Sequence, residues 1–435
     1  MAVRADYATF LNNGPSGNRA DIVFMGDGYT ASEMGTYQSH IDAMMRHLFQ
    51  EGQDPFPRYH NYFNAHRIDV ISQQSGADDP SSGTYVNTAL DASYRFDGVT
   101  QRLLYVNEAK ANAALSAGLS GAPFTAEMKL ITVNASQYGG GGGKHAVYAG
   151  GNASSTEIAL HELGHSFAGL ADEYQYNNNS TYTGAEPTEP NVTKNATGAK
   201  WSRWIGYNQP GIGVIGAYEG ARYYDHGLYR PSLNSKMRTL GQPFDAVSRE
   251  EIILDIYRLV DPLDAWLNNS VTLENPSKLW VDSIDPTIIQ HQWFVNNALV
   301  PGANGEEFDP LAFGFGPGTY TIKAHNYDPT DWVRASLDLL QEDITWNVTY
   351  TIPEPGSAWL LAGASLFILM GRKRAGEKGS RLTRIIHDAL ESSTICHSSN
   401  PHPGPIPWEG RGEISSPRLA PKAFGVDGDR IKSLS

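Results

Sequence analysis

His161-Glu162-Leu163-Gly164-His165-Ser166-Phe167-Ala168-Gly169-Leu170-Ala171-Asp172-Glu173-Tyr174 is the stretch on which the reading of this chain turns. Helix positions four apart share a face, so His161 and His165 aim two imidazoles at one Zn²⁺ while Glu162 stands beside it. The preceding Glu157-Ile158-Ala159-Leu160 and the following Phe167, Ala168 and Leu170 form an apolar stripe, which predicts a buried helix. Buried imidazoles need partners, and a metal supplies them.

Two histidines leave a zinc site incomplete, because a catalytic site takes three protein ligands and keeps a fourth position for water. Gly169 can end the helix in the left-handed conformation and turn the chain back. In the extended zinc motif the third ligand lies six residues after the second histidine. Here that position is Ala171, which cannot ligate. Asp172 is therefore the expected third ligand, with Glu173 and the distant Glu219 as competitors. No cysteine lies near the site, which disfavours a structural zinc closed by cysteine and histidine.

Other blocks accompany this one in a fixed order: Ile22-Val23-Phe24-Met25-Gly26-Asp27-Gly28-Tyr29-Thr30, Tyr138-Gly139-Gly140, Glu219-Gly220-Ala221-Arg222-Tyr223, Tyr229-Arg230-Pro231 and Lys236-Met237-Arg238. Together, from about residue 15 to 260, they resemble the IgA-specific metallopeptidase family of zinc endopeptidases. The resemblance implies a zincin peptidase; it does not make an immunoglobulin the substrate. Met237 resembles the methionine turn beneath the zinc of metzincin-like peptidases, the alternative being an ordinary core methionine. Tyr223, Tyr224, Tyr229 and Arg230 are donors suited to an oxyanion, and Tyr229 and Arg230 are the expected pair; a solvated aromatic loop is the competing reading.

Ile22 to Met25 reads as a strand and Ser32 to Phe49 as a helix, with Gly26-Asp27-Gly28 between them. The spacing matches neither phosphate-loop pattern, so nucleotide binding is disfavoured and Asp27 is expected to be a turn or helix-cap residue. Lys129 to Asn134 reads as a strand and Gln137 to Lys144 as a glycine-rich loop. Lys144 to Gly151 is expected to be an edge strand for an extended peptide, with Gly139 to Gly143 a flexible loop.

The formal charge of -14 at pH 7 argues against nucleic acid, and a single cysteine, Cys396, excludes an intramolecular disulfide. Past residue 260, Leu279-Trp280-Val281, His291 to Val295, Gly318 to Ala324 and Ile344 to Val348 alternate apolar with polar residues, the pattern of an antiparallel sandwich. Then come Pro353-Glu354-Pro355, an apolar run from Ala358 to Met370, and Arg372-Lys373-Arg374. This order resembles the PEP C-terminal sorting signal of Gram-negative bacteria, which implies export to the cell surface and association with a membrane or an exopolysaccharide layer. No apolar leader stands near Met1, and the chain runs past the basic cluster to Ser435. The expectation is a mis-set start, a frame error or fusion at the end, and a disordered tail rich in Pro, Ser, Gly and charge.

The chain is thus expected to be an α/β (α+β) zincin-like catalytic domain over 1–262, an immunoglobulin-like β-sandwich over 263–350, a sorting signal with a short transmembrane helix over 351–374, and a disordered tail over 375–435. The expected activity is zinc-dependent cleavage of a protein or peptide substrate, with Glu162 as general base. Two rivals are a surface adhesin with a non-catalytic zinc and a zinc hydrolase of non-peptide amides.

Overall fold

The computed structural model describes residues 3–351; the sorting segment to 374, the tail 375–435 and Cys396 lie outside them. The chain divides into two compact units. The larger runs to Leu267 and takes in Lys278–Phe308 and Ile322–Thr345. The smaller holds Asn268–Ser277, Asp309–Thr321 and the described residues from Trp346.

The larger unit is built on a six-stranded sheet: β1 (Val3–Leu11), β2 (Ala20–Asp27), β3 (Phe63–Val70), β4 (Met128–Val133), β5 (Gly140–Gly141) and β6 (Ala146–Ala149), in the order β1-β3-β2-β4-β6-β5. All residues of β2 are buried, and β2 runs parallel to both β3 and β4. A strand covered on both faces needs apolar residues at every position, which is why Ile22 to Met25 shows no alternation. Ile22 and Phe24 face the core that contains α1 (Met34–Leu48), α3 (Ser155–Ser166) and α4 (Ala246–Leu259). Val23 and Met25 face the opposite core, where α2 (Glu108–Gly118) contributes Ala111 and Ala114.

The turn after β2 departs from expectation. Thr30 rather than Asp27 opens the helical segment, through a capping box with Glu33. Asp27 is fully buried and accepts from the Ser72 and Thr88 hydroxyls and from the Leu90 and Ala92 amides at 2.8–3.1 Å. It organises the 72–92 loop, and burial raises its pKa against the pull of these donors.

The sheet edge also differs from the reading above. β6 is interior, because β5 pairs with it antiparallel, Gly140 opposite Tyr148. Gly140 donates its amide to Arg102 O and accepts from Leu104 N, both at 3.1 Å, so its outer side is also bonded. The glycine run became an edge strand because residues without side chains can approach α3: a side-chain carbon at Gly140 would lie 2.4 Å from Ile158 Cγ2, and one at Gly142 would lie 2.6 Å from His165 Cβ.

The C-terminal alternation appears as strands. Leu263–Trp266, Leu279–Ser283 and Glu307–Phe308 form a three-stranded sheet, and a five-stranded sheet includes Gln290–Val295, Gly318–Tyr327 and Gln341–Tyr350. His291, Trp293 and Val295 are buried between more exposed neighbours. Within the larger unit, Asp328 accepts from Arg58 Nη2 at 2.6 Å, Tyr59 OH at 2.7 Å and Tyr257 OH at 3.0 Å. Its carboxylate is fully buried. The protein is of mixed α/β class, with many strands and four α-helices among the described residues. None of these helices is long and apolar enough to cross a membrane.

Candidate metal centre

α3 carries both histidines, and its end is built as its sequence demands. Gly169 takes φ +58°, and Leu170 N donates to Gly164 O at 3.0 Å, closing the helix with a left-handed cap. The cap does a second thing: it returns the Leu170 carbonyl to the helix face, where His165 Nδ1 donates to it at 2.6 Å. Beneath the helix, Met237 is fully buried, and a side-chain carbon at Gly164 would sit 2.8 Å from its Sδ. Beside Met237, the Lys236 carbonyl accepts from His161 Nδ1 at 3.0 Å.

A carbonyl can only accept, so both Nδ1 atoms carry hydrogen and each neutral ring presents Nε2 as a lone pair. The two Nε2 atoms lie 3.2 Å apart, and Asp172 Oδ1 lies 3.1 Å from that of His161 and 3.3 Å from that of His165. Three acceptors at such distances repel unless a proton or a cation sits among them. With protons alone, burial lowers the His165 pKa, but the hydrogen bond and charge of Asp172 push it up to about 9. Asp172 in turn is held far below the carboxylate range by the same two histidines despite its burial. The spacing also fits a metal: ligands at about 2.0–2.1 Å in a tetrahedron stand roughly 3.3 Å from one another. Two imidazoles and one carboxylate are a donor set that suits zinc.

Glu162 follows His161 on the same helix. One oxygen would be 2.7 Å from a side-chain carbon at Gly140, and the other 3.0 Å from one at Gly142, so its carboxylate lies under the glycine strand. Burial raises its pKa, opposed by the charges of His161 and His165.

The competitors of Asp172 are placed elsewhere. Glu173 is fully buried and accepts from Asn191 Nδ2 at 2.9 Å and Ser235 Oγ at 2.7 Å. Burial and the nearby Asp245 push its pKa well up. Glu219 accepts from Gly227 N at 3.1 Å. Neither belongs to the His161, His165 and Asp172 cluster.

Tyr229 and Arg230 are not brought to the cluster among the described residues. Tyr229 exchanges backbone hydrogen bonds with Thr193. Arg230 is buried, and its Nη1 donates to the Glu219 and Gly220 carbonyls. Tyr223 is there instead, its hydroxyl 2.5 Å from Asp172 Oδ2. Tyr174 is near it, with ring centroids 5.3 Å apart, and its hydroxyl accepts from Arg102 Nη2 at 3.2 Å. Arg102 sits in an irregular segment without a motif, so no signal in the sequence pointed to it.

A second set of polar contacts joins the helix to the segment that carries Met237. Lys236 Nζ donates to Glu157 Oε2 at 2.6 Å, and His47 reaches Glu157 Oε1 at 2.8 Å. Burial raises the Glu157 pKa, but the hydrogen bonds from His47 and Lys236 outweigh it and hold the group at about 2.

Two histidines of a helix and a carboxylate just past its end, with a glutamate beside them, fit a metallopeptidase. The model of the family described as IgA Peptidase M64 matches residues 9–212 and 208–256, and the chain belongs to that family. It is a metallopeptidase, a hydrolase. No curated protein is significantly similar to the chain.

Proposed function

We propose that the protein is a zinc-dependent endopeptidase whose metal is held by His161 Nε2, His165 Nε2 and Asp172 Oδ1. The observation that carries this reading is the convergence of those three lone pairs at 3.1–3.3 Å, with the opposite ring nitrogens locked onto carbonyls. When bound, zinc supplies Lewis acidity, acidifying water at its open position and polarising the scissile carbonyl. Glu162 then acts as general base: it takes a proton from the attacking water as the new C–O bond forms, and it returns that proton to the departing amine as the peptide C–N bond breaks. Its burial suits the task, because it raises the pKa of the carboxylate and so makes it a stronger base.

The catalytic machinery is read as a zincin-like domain over 1–262, with the strands of 263–350 as an immunoglobulin-like sandwich. The test is Glu162→Gln in the full chain, with zinc content and peptide cleavage followed together. Zinc should remain stoichiometric while kcat falls by about 10²–10⁴. A variant that keeps its turnover sinks the assignment of the base, and a parent protein without zinc sinks the reading itself.

A further inference from the structure

We propose that Tyr223 is a positioning residue that fixes Asp172 as a single-oxygen metal ligand. The proposal rests on the zinc reading above and adds to it how the third ligand is held. Asp172 has two oxygens with different partners: Oδ1 faces both histidine Nε2 atoms, while Oδ2 accepts from the Tyr223 hydroxyl at 2.5 Å. With Oδ2 tied, the carboxylate would present one oxygen, Oδ1, to a bound ion.

The turn that carries Tyr223 grips the same residue a second time. Arg222 N donates to the backbone oxygen of Asp172 at 2.9 Å, and Tyr223 N donates to that of Tyr174 at 2.9 Å. Tyr176 N donates to Tyr223 O at 3.1 Å, and the Tyr176 and Tyr223 rings stack with centroids 5.1 Å apart at 15°. Both the main chain and the side chain of the ligand are therefore held by one turn. That turn is built at a cost, since Arg222 and Tyr223 take φ +48° and +74°, a region that bulky side chains rarely adopt. Glycine would relieve the strain at either position. A tyrosine in a strained conformation, with its hydroxyl on the ligand, points to a role for that hydroxyl.

The experiment compares the full-length parent with Tyr223→Phe, which removes one oxygen and keeps the ring, and with Tyr176→Phe as control. Zinc release to a chromogenic chelator and the equilibrium zinc affinity are the readouts, taken below the melting transition of every metal-free variant. Tyr223→Phe should weaken zinc binding by about 10- to 100-fold, the range for lost contacts to ligating groups, and Tyr176→Phe should leave it unchanged. In an Asp172→Asn background, Tyr223→Phe should add nothing, because its effect runs through the carboxylate. If Tyr223→Phe holds zinc as tightly as an active parent, the proposal is overturned and the zinc reading survives, a fall in kcat then assigning the hydroxyl to the reaction itself. A parent that binds no zinc overturns both. An unchanged effect in the Asp172→Asn background would also overturn the positioning role.

Discussion

Asp172 and Glu173 are consecutive in the chain, yet their carboxylates belong to regions of opposite character. The Asp172 side gathers acceptors: two imidazole nitrogens and a carboxylate oxygen converge with no donor among them. The Glu173 side is closed, with donors from Asn191 and Ser235 meeting the carboxylate in a fully buried pocket. Burial and polarity do not distinguish the two. What distinguishes them is whether the polar atoms satisfy one another, and only the unsatisfied set calls for a cation.

Breaking the two sides separately gives the largest expected contrast. Asp172→Ala should weaken zinc binding well beyond the roughly 100-fold typical of outer contacts, while Glu173→Ala and Glu219→Ala should retain the metal. Glu173→Ala should instead cost about 2 kcal/mol of stability, from stranded donors on Ser235 and Asn191, and Glu173→Gln should recover most of it. Zinc competition titrations and urea unfolding of the same proteins separate the outcomes. Loss of metal in Glu173→Ala would erase the distinction.

The next contrast is in pH. Glu157, at about 2 when folded against an ordinary 4.5, binds fewer protons folded than unfolded between those values. Its contribution is complete above pH 4.5 and disappears as the pH falls toward 2. Glu157→Gln should lower unfolding free energy by about 2 kcal/mol at neutral pH and flatten its decline across this acid window, measured by urea midpoints from pH 6 to 2.5.

The smallest effect on the enzyme should come from removing 352–435. The shortened protein should keep its zinc and its peptidase activity, and should lose surface anchoring in a host with the sorting machinery. Failure to fold would show that the segment belongs to the folded enzyme, and unchanged localisation that it is no address.

The metal helix was legible because its information is local: histidine spacing, an apolar stripe and a glycine stop all lie within fourteen residues. Choosing Asp172 also needed only short-range chemistry, the exclusion of Ala171 and a turned chain. Tyr223 could be included in a cluster of donors but not singled out, since its contact depends on left-handed backbone at Arg222 and Tyr223, where neither residue advertises it. Arg230 looked like a donor for substrate because a sequence does not show that two main-chain carbonyls already occupy it. The glycines at 139–143 announced freedom of backbone; their use, close approach to Glu162 and His165, depends on a helix that comes later in the chain.

Asp328 sets an order of events during synthesis. Arg58 and Tyr59, in the segment before β3, and Tyr257 of α4 all donate to this one buried carboxylate, so these donors are complete in sequence while they still lack their acceptor. At ribosomal rates of about 5–20 residues per second, the acceptor emerges several seconds after residue 262. Until it emerges, Arg58, Tyr59 and Tyr257 lack the acceptor that joins them, and a chain stopped at 262 never gains it.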